Sequence, residues 1–203
     1  YNVKPGTVEL VEDSLAQVLS IREKYSKLAG YWHTEIGPLN QVVHLWPYES
    51  FEQMSQITEA AVKDPSGKWP PQNPENSILE MESELLEPAP FMNPLELPGT
   101  WGNIYELRTY TYQVGVMTQV LAAWQESLPF REKYSPLVGA WTSRVGRLNR
   151  FHHLWAYQDL NERTRIRAES TKDASGKWPP KTRQWMLRQE TKILIPASFS
   201  PLH

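Results

Sequence analysis

Two stretches of this chain repeat one another at a fixed distance. Arg22-Glu23-Lys24-Tyr25-Ser26, Gly30, Trp32, Gly37, Leu39-Asn40 and His44-Leu45-Trp46 return as Arg131-Glu132-Lys133-Tyr134-Ser135, Gly139, Trp141, Gly146, Leu148-Asn149 and His153-Leu154-Trp155, always 109 positions later. The same offset carries Asp64 and Ser66-Gly67-Lys68-Trp69-Pro70-Pro71 onto Asp173 and Ser175-Gly176-Lys177-Trp178-Pro179-Pro180. A period this long exceeds any solenoid repeat, so each copy is expected to fold as a globular unit. The 203 residues suffice for two units of about 100, a usual domain size. The expected division is a first repeat over 1–95, a linker over 96–103 and a second repeat over 104–203.

Composition narrows the chemistry. No run approaches 18 apolar residues and no cationic start leads into an apolar stretch, so the sequence predicts a soluble chain without a membrane span. Zero cysteines exclude disulfides, thiolate nucleophiles and cysteine-based metal sites. Nine tryptophans point to two thick cores or to an aromatic-lined cavity. The net charge of −2 conceals an imbalance: residues 1–99 hold six Lys/Arg against fifteen Asp/Glu, and residues 100–203 hold fifteen against eight. Opposed charges of this size can fix register between the copies, although solvated faces that drifted apart after duplication give the same count. Arg163, Arg165 and Arg167 alternate with Glu162 and Glu169 and read as a solvated helix face. Net acidity argues against nucleic acid as a partner.

The second copy has the cleaner pattern. Ile104 to Tyr112 alternates as a strand; Met117, Val120, Leu121, Trp124 and Leu128 form one helical stripe, which Pro129 should kink or end. Leu137 to Val145 and Arg150 to Tyr157 form a hairpin about the Gly146-to-Asn149 turn. Asp159 caps a helix from Leu160 to about Thr171, a short helical stretch is expected over 182–189, and Lys192 to Ile195 closes as a strand. This βαββαβ order is that of the ferredoxin-like fold. In the first copy Tyr1 aligns with Tyr110, so most of the opening strand has no counterpart, and the natural polypeptide is expected to continue before Tyr1 or to have lost this segment by processing. Pro88-Ala89-Pro90 through Pro98-Gly99 reads as an extended, semi-rigid connector.

Together, Tyr105-Glu106-Leu107-Arg108-Thr109-Tyr110, Leu137-Val138-Gly139-Ala140-Trp141, Gly146-Arg147-Leu148-Asn149, His152-His153-Leu154-Trp155-Ala156-Tyr157 and Ile195-Pro196-Ala197-Ser198-Phe199 resemble the NIPSNAP family. In the first copy Leu28 to Glu35, Leu39-Asn40, His44-Leu45-Trp46 and Pro88-Ala89-Pro90-Phe91 carry the likeness. The resemblance implies an α+β fold, two tandem ferredoxin-like (βαββαβ) repeats of the dimeric α+β-barrel type. It implies, for many members, a mitochondrial or vesicle-associated setting and no settled chemistry; the expected location is mitochondrial for a eukaryotic source and cytoplasmic for a bacterial one. The Ser-Gly-Lys-Trp-Pro-Pro loop departs from the family pattern, so no role is carried onto it.

Alternation along the third strand of each copy places Val42, His44, Trp46 and Tyr48 on one face, and Phe151, His153, Trp155 and Tyr157 likewise. Such a face can line a cavity for a flat apolar ligand, with histidine as acid, base or axial ligand and tyrosine as donor. It can equally be a buried aromatic core with neutral, hydrogen-bonded histidines. His44, His153, Tyr48 and Tyr157 are therefore the candidate catalytic residues, and Trp32, Trp46, Trp141, Trp155, Arg108 and Tyr110 the candidate ligand contacts. His152 lies on the opposite face, is matched by Val43, and cannot join His153 on one metal. Arg108 is either an ion-paired barrel residue, an anion contact or half of a pairing between the domains. Ser-Gly-Lys-Trp is not a phosphate loop, because the upstream glycine and the magnesium-binding Ser/Thr are both missing. No metal site and no cofactor are expected.

Three functions fit: a scaffold binding a protein partner or a small hydrophobic ligand, within one chain or as a homo-oligomer; a small cofactor-independent enzyme acting on a hydrophobic metabolite; or a carrier of haem or another tetrapyrrole.

Overall fold

A computed structural model describes residues 1–203. The chain divides into two compact units, one of Tyr1–Glu82, Leu97–Thr100 and Ile195–His203, the other of Ser83–Glu96 and Trp101–Leu194. Each unit thus takes its closing segment from the other repeat.

Unit 1 contains β1 (Asn2–Val3), α1 (Val8–Arg22), β2 (Gly30–Ile36), β3 (Val42–Leu45), α2 (Phe51–Val62) and β4 (Ile78–Glu80). Strand β1 pairs with β4 on one side, and beside it Tyr1 exchanges backbone bonds with Val42 (2.9 and 3.0 Å). β3 pairs antiparallel with β2, and past β2 the Ala197 N–H donates to the Tyr31 carbonyl (3.0 Å). Helix α1 buries Val11, Leu15, Leu19 and Arg22, spaced three and four residues apart, against Tyr31, Val42 and Ala197. α2 starts where the Ser50 hydroxyl accepts the Gln53 N–H (3.0 Å).

Unit 2 contains β5 (Leu85–Pro88), β6 (Ile104–Tyr112), α3 (Met117–Arg131), β7 (Leu137–Val145), β8 (Arg150–Tyr157), α4 (Leu160–Thr171) and β9 (Met186–Pro196), of which residues up to Leu194 belong here. The strand order β9-β6-β8-β7-β5 is antiparallel throughout. In ferredoxin-like terms this is the fourth, first, third and second strands, with the exchanged segment added at the edge; unit 1 repeats the same order. Ala89, which follows β5, is buried with Val120, Trp124, Leu128, Phe151, Trp155 and Tyr157, each large side chain contributing roughly 1.5–3 kcal/mol of burial. The exchange also uses the charge imbalance. Glu84 and Glu87, written in the acidic half, meet Arg150 (3.7 Å) and Arg144 (3.1 Å) of the basic half.

Four expectations are corrected. The short helical stretch expected over 182–189 is confined to a single 3-10 turn, Arg183–Trp185, which leads into β9, and β9 pairs with β6 from Met186 onward. The Arg188-Gln189-Glu190-Thr191-Lys192 run has no apolar alternation to announce a strand, and the ladder with β6 decides. The stretch 88–99, expected as an extended, semi-rigid connector, is more than a connector at its start, because Pro88 pairs with Trp141 and Ala89 is buried. Of the two outcomes expected at Pro129, a kink or an end, the end is not found, since α3 runs on to Arg131. Arg163 and Arg167 do not lie on a solvated face, as shown below. Asp159 caps α4 as expected, accepting the Glu162 N–H at 2.7 Å.

Candidate functional site

The strand face carrying the duplicated histidines is the face the helices cover. In unit 2, α3 lays Trp124 against His153 (ring centroids 4.6 Å apart), with Phe151 stacked at 5.5 Å and Tyr110 edge-on at 4.8 Å. In unit 1, Tyr31 stacks parallel to His44 at 5.7 Å and Tyr1 meets it edge-on at 4.9 Å. Period-two alternation groups these side chains correctly, but it does not say which face meets the helices.

Within each face the polar atoms form the same chain of contacts. The Trp46 indole N–H donates to His44 Nδ1 (2.8 Å), and the Trp155 indole to His153 Nδ1 (2.7 Å). A guanidinium lies over each indole, Arg22 at 4.6 Å and Arg131 at 4.2 Å. Arg22 donates to the Tyr48 hydroxyl (2.8 Å) and to Ser26 Oγ; Arg131 donates to the Tyr157 hydroxyl (3.1 Å) and to Ser135 Oγ. Sequence reasoning gave Arg22 and Arg131 no role, yet they open the most exact stretch of the repeat, which was the available signal. The repeated loop supports the same assembly. Asp64 accepts from Tyr25 and the Ser66 N–H, Asp173 from Tyr134 and the Ser175 N–H, all near 3 Å, and the loop brings Trp178 edge-on to Trp124 (5.3 Å).

These contacts fix protonation. Burial lowers His44 to about 4. Burial, and then Arg108, Arg167, His152 and Arg131, hold His153 well below its ordinary value. Both rings are neutral near pH 7, and because Nδ1 accepts the indole hydrogen, the ring proton sits on Nε2. A haem iron would need the Nε2 lone pair with the proton moved to Nδ1, where it would oppose the indole N–H. The donor set therefore does not fit haem ligation at either histidine. No group of three His, Asp or Glu side chains converges in a way that would hold a metal ion.

Arg108 and Tyr110 belong to a second arrangement on the same face of unit 2. Glu106 is fully buried, and its Oε1 accepts from Arg108 (2.8 Å), Arg163 (2.6 Å) and Thr191 (3.0 Å), while Arg167 stands 3.7 Å from Oε2. Arg108 also donates to the Tyr110 hydroxyl at 2.8 Å. Burial alone would raise the Glu106 carboxyl, but the Arg163 hydrogen bond and the charges of Arg108 and Arg167 outweigh it and hold the group below its ordinary value. Arg165, between the two inward arginines, instead pairs with Glu169 at the surface (2.9 Å). Arg163 and Arg167 are four apart and face the sheet; a three-arginine run hides that spacing.

Trp32 and Trp141 point to the other side of their sheets. Trp141 sits opposite His152 in the register, and Trp32 opposite Val43. Each indole lies directly over a glycine, so that a methyl at Gly30 or Gly139 would come within 2.0 or 2.1 Å of it. His152 bonds Thr109 (3.0 Å) and approaches Glu84 (3.5 Å). The candidate residues thus fall on two faces. Clefts of about 400 Å³ along Met54, Thr58 and Val62, and about 190 Å³ among Trp101, Tyr134 and Ile166, are not lined by His44, Tyr48, His153 or Tyr157.

The NIPSNAP family pattern matches residues 1–93 and 105–201, one match in each repeat. The chain belongs to the NIPSNAP family. It is 30% identical to human Protein NipSnap homolog 2, across all of this chain and 72% of that protein, and 31% identical to the Danio rerio homolog 2 over the same shares. A putative monooxygenase from Fusobacterium nucleatum superposes with a TM-score of 0.66, covering 97% of this chain and 88% of its own, at 12% identity. That likeness establishes the α+β fold alone. No helix of this NIPSNAP protein is long and apolar enough to cross a membrane.

Proposed function

We propose that this NIPSNAP chain binds a ligand or a protein partner without transforming it, and that 1–95 and 104–203 are the duplicated units of that binding protein. The observation that supports this reading is the twice-built chain of contacts from arginine to indole to histidine. It occupies the Nδ1 acceptor of His44 and His153, keeps both rings neutral, and packs His153 among four aromatic rings. A general acid must carry a proton near working pH, and burial opposes that here. His44, His153, Tyr48 and Tyr157 hold the fold in this reading, with Trp46 and Trp155 as their clamps.

The test is to incubate the chain with a hydrophobic metabolite extract and follow every component by mass spectrometry. Retention of a compound or partner without conversion, unchanged in a folded His44→Gln/His153→Gln variant, is the expected result. Conversion of any compound that disappears with those substitutions would refute the proposal in favour of an enzyme.

A further inference from the structure

Charge does not balance around Glu106. Arg108, Arg163 and Arg167 stand 2.6 to 3.7 Å from its carboxylate on the helix-covered face of unit 2, and the buried Arg131 lies within electrostatic reach of Glu106 and Arg167. Arg131 is 2% exposed and its hydrogen bonds go only to Ser135 and Tyr157. Three buried polar atoms around Glu106 lack a hydrogen-bond partner: the donors Arg163 Nε and His153 Nε2, the latter on a residue 2% exposed, and the acceptor Glu106 Oε2, which Arg167 approaches only to 3.7 Å. The clamp on Nδ1 makes that Nε2 a donor, as Arg163 Nε always is. A buried donor without an acceptor costs about 1–3 kcal/mol, and such groups call for water or an ion to complete them. Unsatisfied donors beside surplus positive charge select an acceptor that is itself negative.

We propose that unit 2 binds a small oxyanion, the carboxylate or phosphate group of a ligand, in the arginine cage over Glu106. This rests on reading the chain as a binding protein and names the chemical class of what it binds. Glu106 spends Oε1 on Arg108, Arg163 and Thr191, fixing the inner guanidiniums. Arg167, 3.7 Å from Oε2 with a side chain 40% exposed, is the member free to close on an incoming anion. Planar guanidiniums match carboxylate and phosphate oxygens in pairs. The first repeat does not carry this cage, since Met54 and Thr58 stand 109 positions before Arg163 and Arg167.

Inorganic phosphate and acetate, each titrated into the full chain at constant ionic strength against chloride, test the proposal. The expected result is saturable binding of at least one, read by thermal unfolding and by movement of the His153 Nε2 nitrogen resonance. Saturation by phosphate assigns a phosphate ligand, and saturation by acetate alone a carboxylate. Affinity should fall at least tenfold in Arg167→Gln and by less than twofold in Arg165→Gln, which removes the same charge from the solvated side of the same helix. Equal weakening in both variants, or no saturation by either anion, would overturn the cage and leave an ion-atmosphere effect only. That failure would not touch the binding reading, which stands or falls on turnover.

Discussion

Replacing Glu106 by Gln keeps the shape of the side chain and removes the only negative charge among four arginines. Its carboxylate is fully buried and accepts three hydrogen bonds, two of them from guanidiniums. Removing one partner of a buried ion pair costs about 3–5 kcal/mol. Arg163 and Arg167 keep 23% and 40% of their side chains in solvent, so their share is screened and the expected loss at pH 7 is nearer about 2–3 kcal/mol. The pH dependence provides a sharper signature. The folded-state pKa is depressed, so the wild-type carboxylate contributes stability above its unfolded value, and that contribution is lost as pH falls through the folded value. Urea unfolding at pH 7 and pH 4 should therefore show the gap between wild type and Glu106→Gln narrowing at the lower pH. A loss under about 0.5 kcal/mol at pH 7, or a gap that does not change with pH, would refute the reasoning.

Two further substitutions probe the packing. Trp155→Phe removes the donor to His153 Nδ1 and the indole beneath Arg131, and should cost about 1–3 kcal/mol in chemical denaturation; the matching Trp46→Phe should cost less, because His44 and Trp46 are only half-buried. Gly139→Ala places a methyl 2.1 Å from the Trp141 indole and should cost about 1–3 kcal/mol with a shifted near-ultraviolet dichroism of that tryptophan, whereas Gly115→Ala, with no atom within 4 Å, should disturb no tryptophan.

The sequence repeat was legible because its residues are those whose environment recurs in both units: glycines under indoles, the Asp loops, the His and Trp pairs. The strand order followed from period-two alternation in Ile104–Tyr112, Leu137–Val145 and Arg150–Tyr157, where one face is apolar. It found the end of β9, Lys192 to Ile195, but missed its beginning, where the run Arg188 to Lys192 is polar on both faces and pairing with β6 decides. The exchange of closing segments was not legible, since the Pro-rich text around Ala89 suits a linker as well as an edge strand, and its acidic Glu84 and Glu87 showed only as part of a charge imbalance that drifted solvated faces would also give. In the site, alternation placed His153, Trp155 and Tyr157 together, but the choice of face is made by α3 and α4. The arginine cage was missed because Arg163 and Arg167 acquire meaning only once Glu106 lies beneath them.

The measurement closest to the central claim is the ring-nitrogen spectrum of His153 in the labelled full chain between pH 5 and pH 8. The clamped core predicts a neutral ring with its hydrogen on Nε2 and an accepting Nδ1, unchanged across that range. A ring that titrates near 6.5, or carries its hydrogen on Nδ1, would contradict the clamp and return His153 to the list of candidate acids and bases.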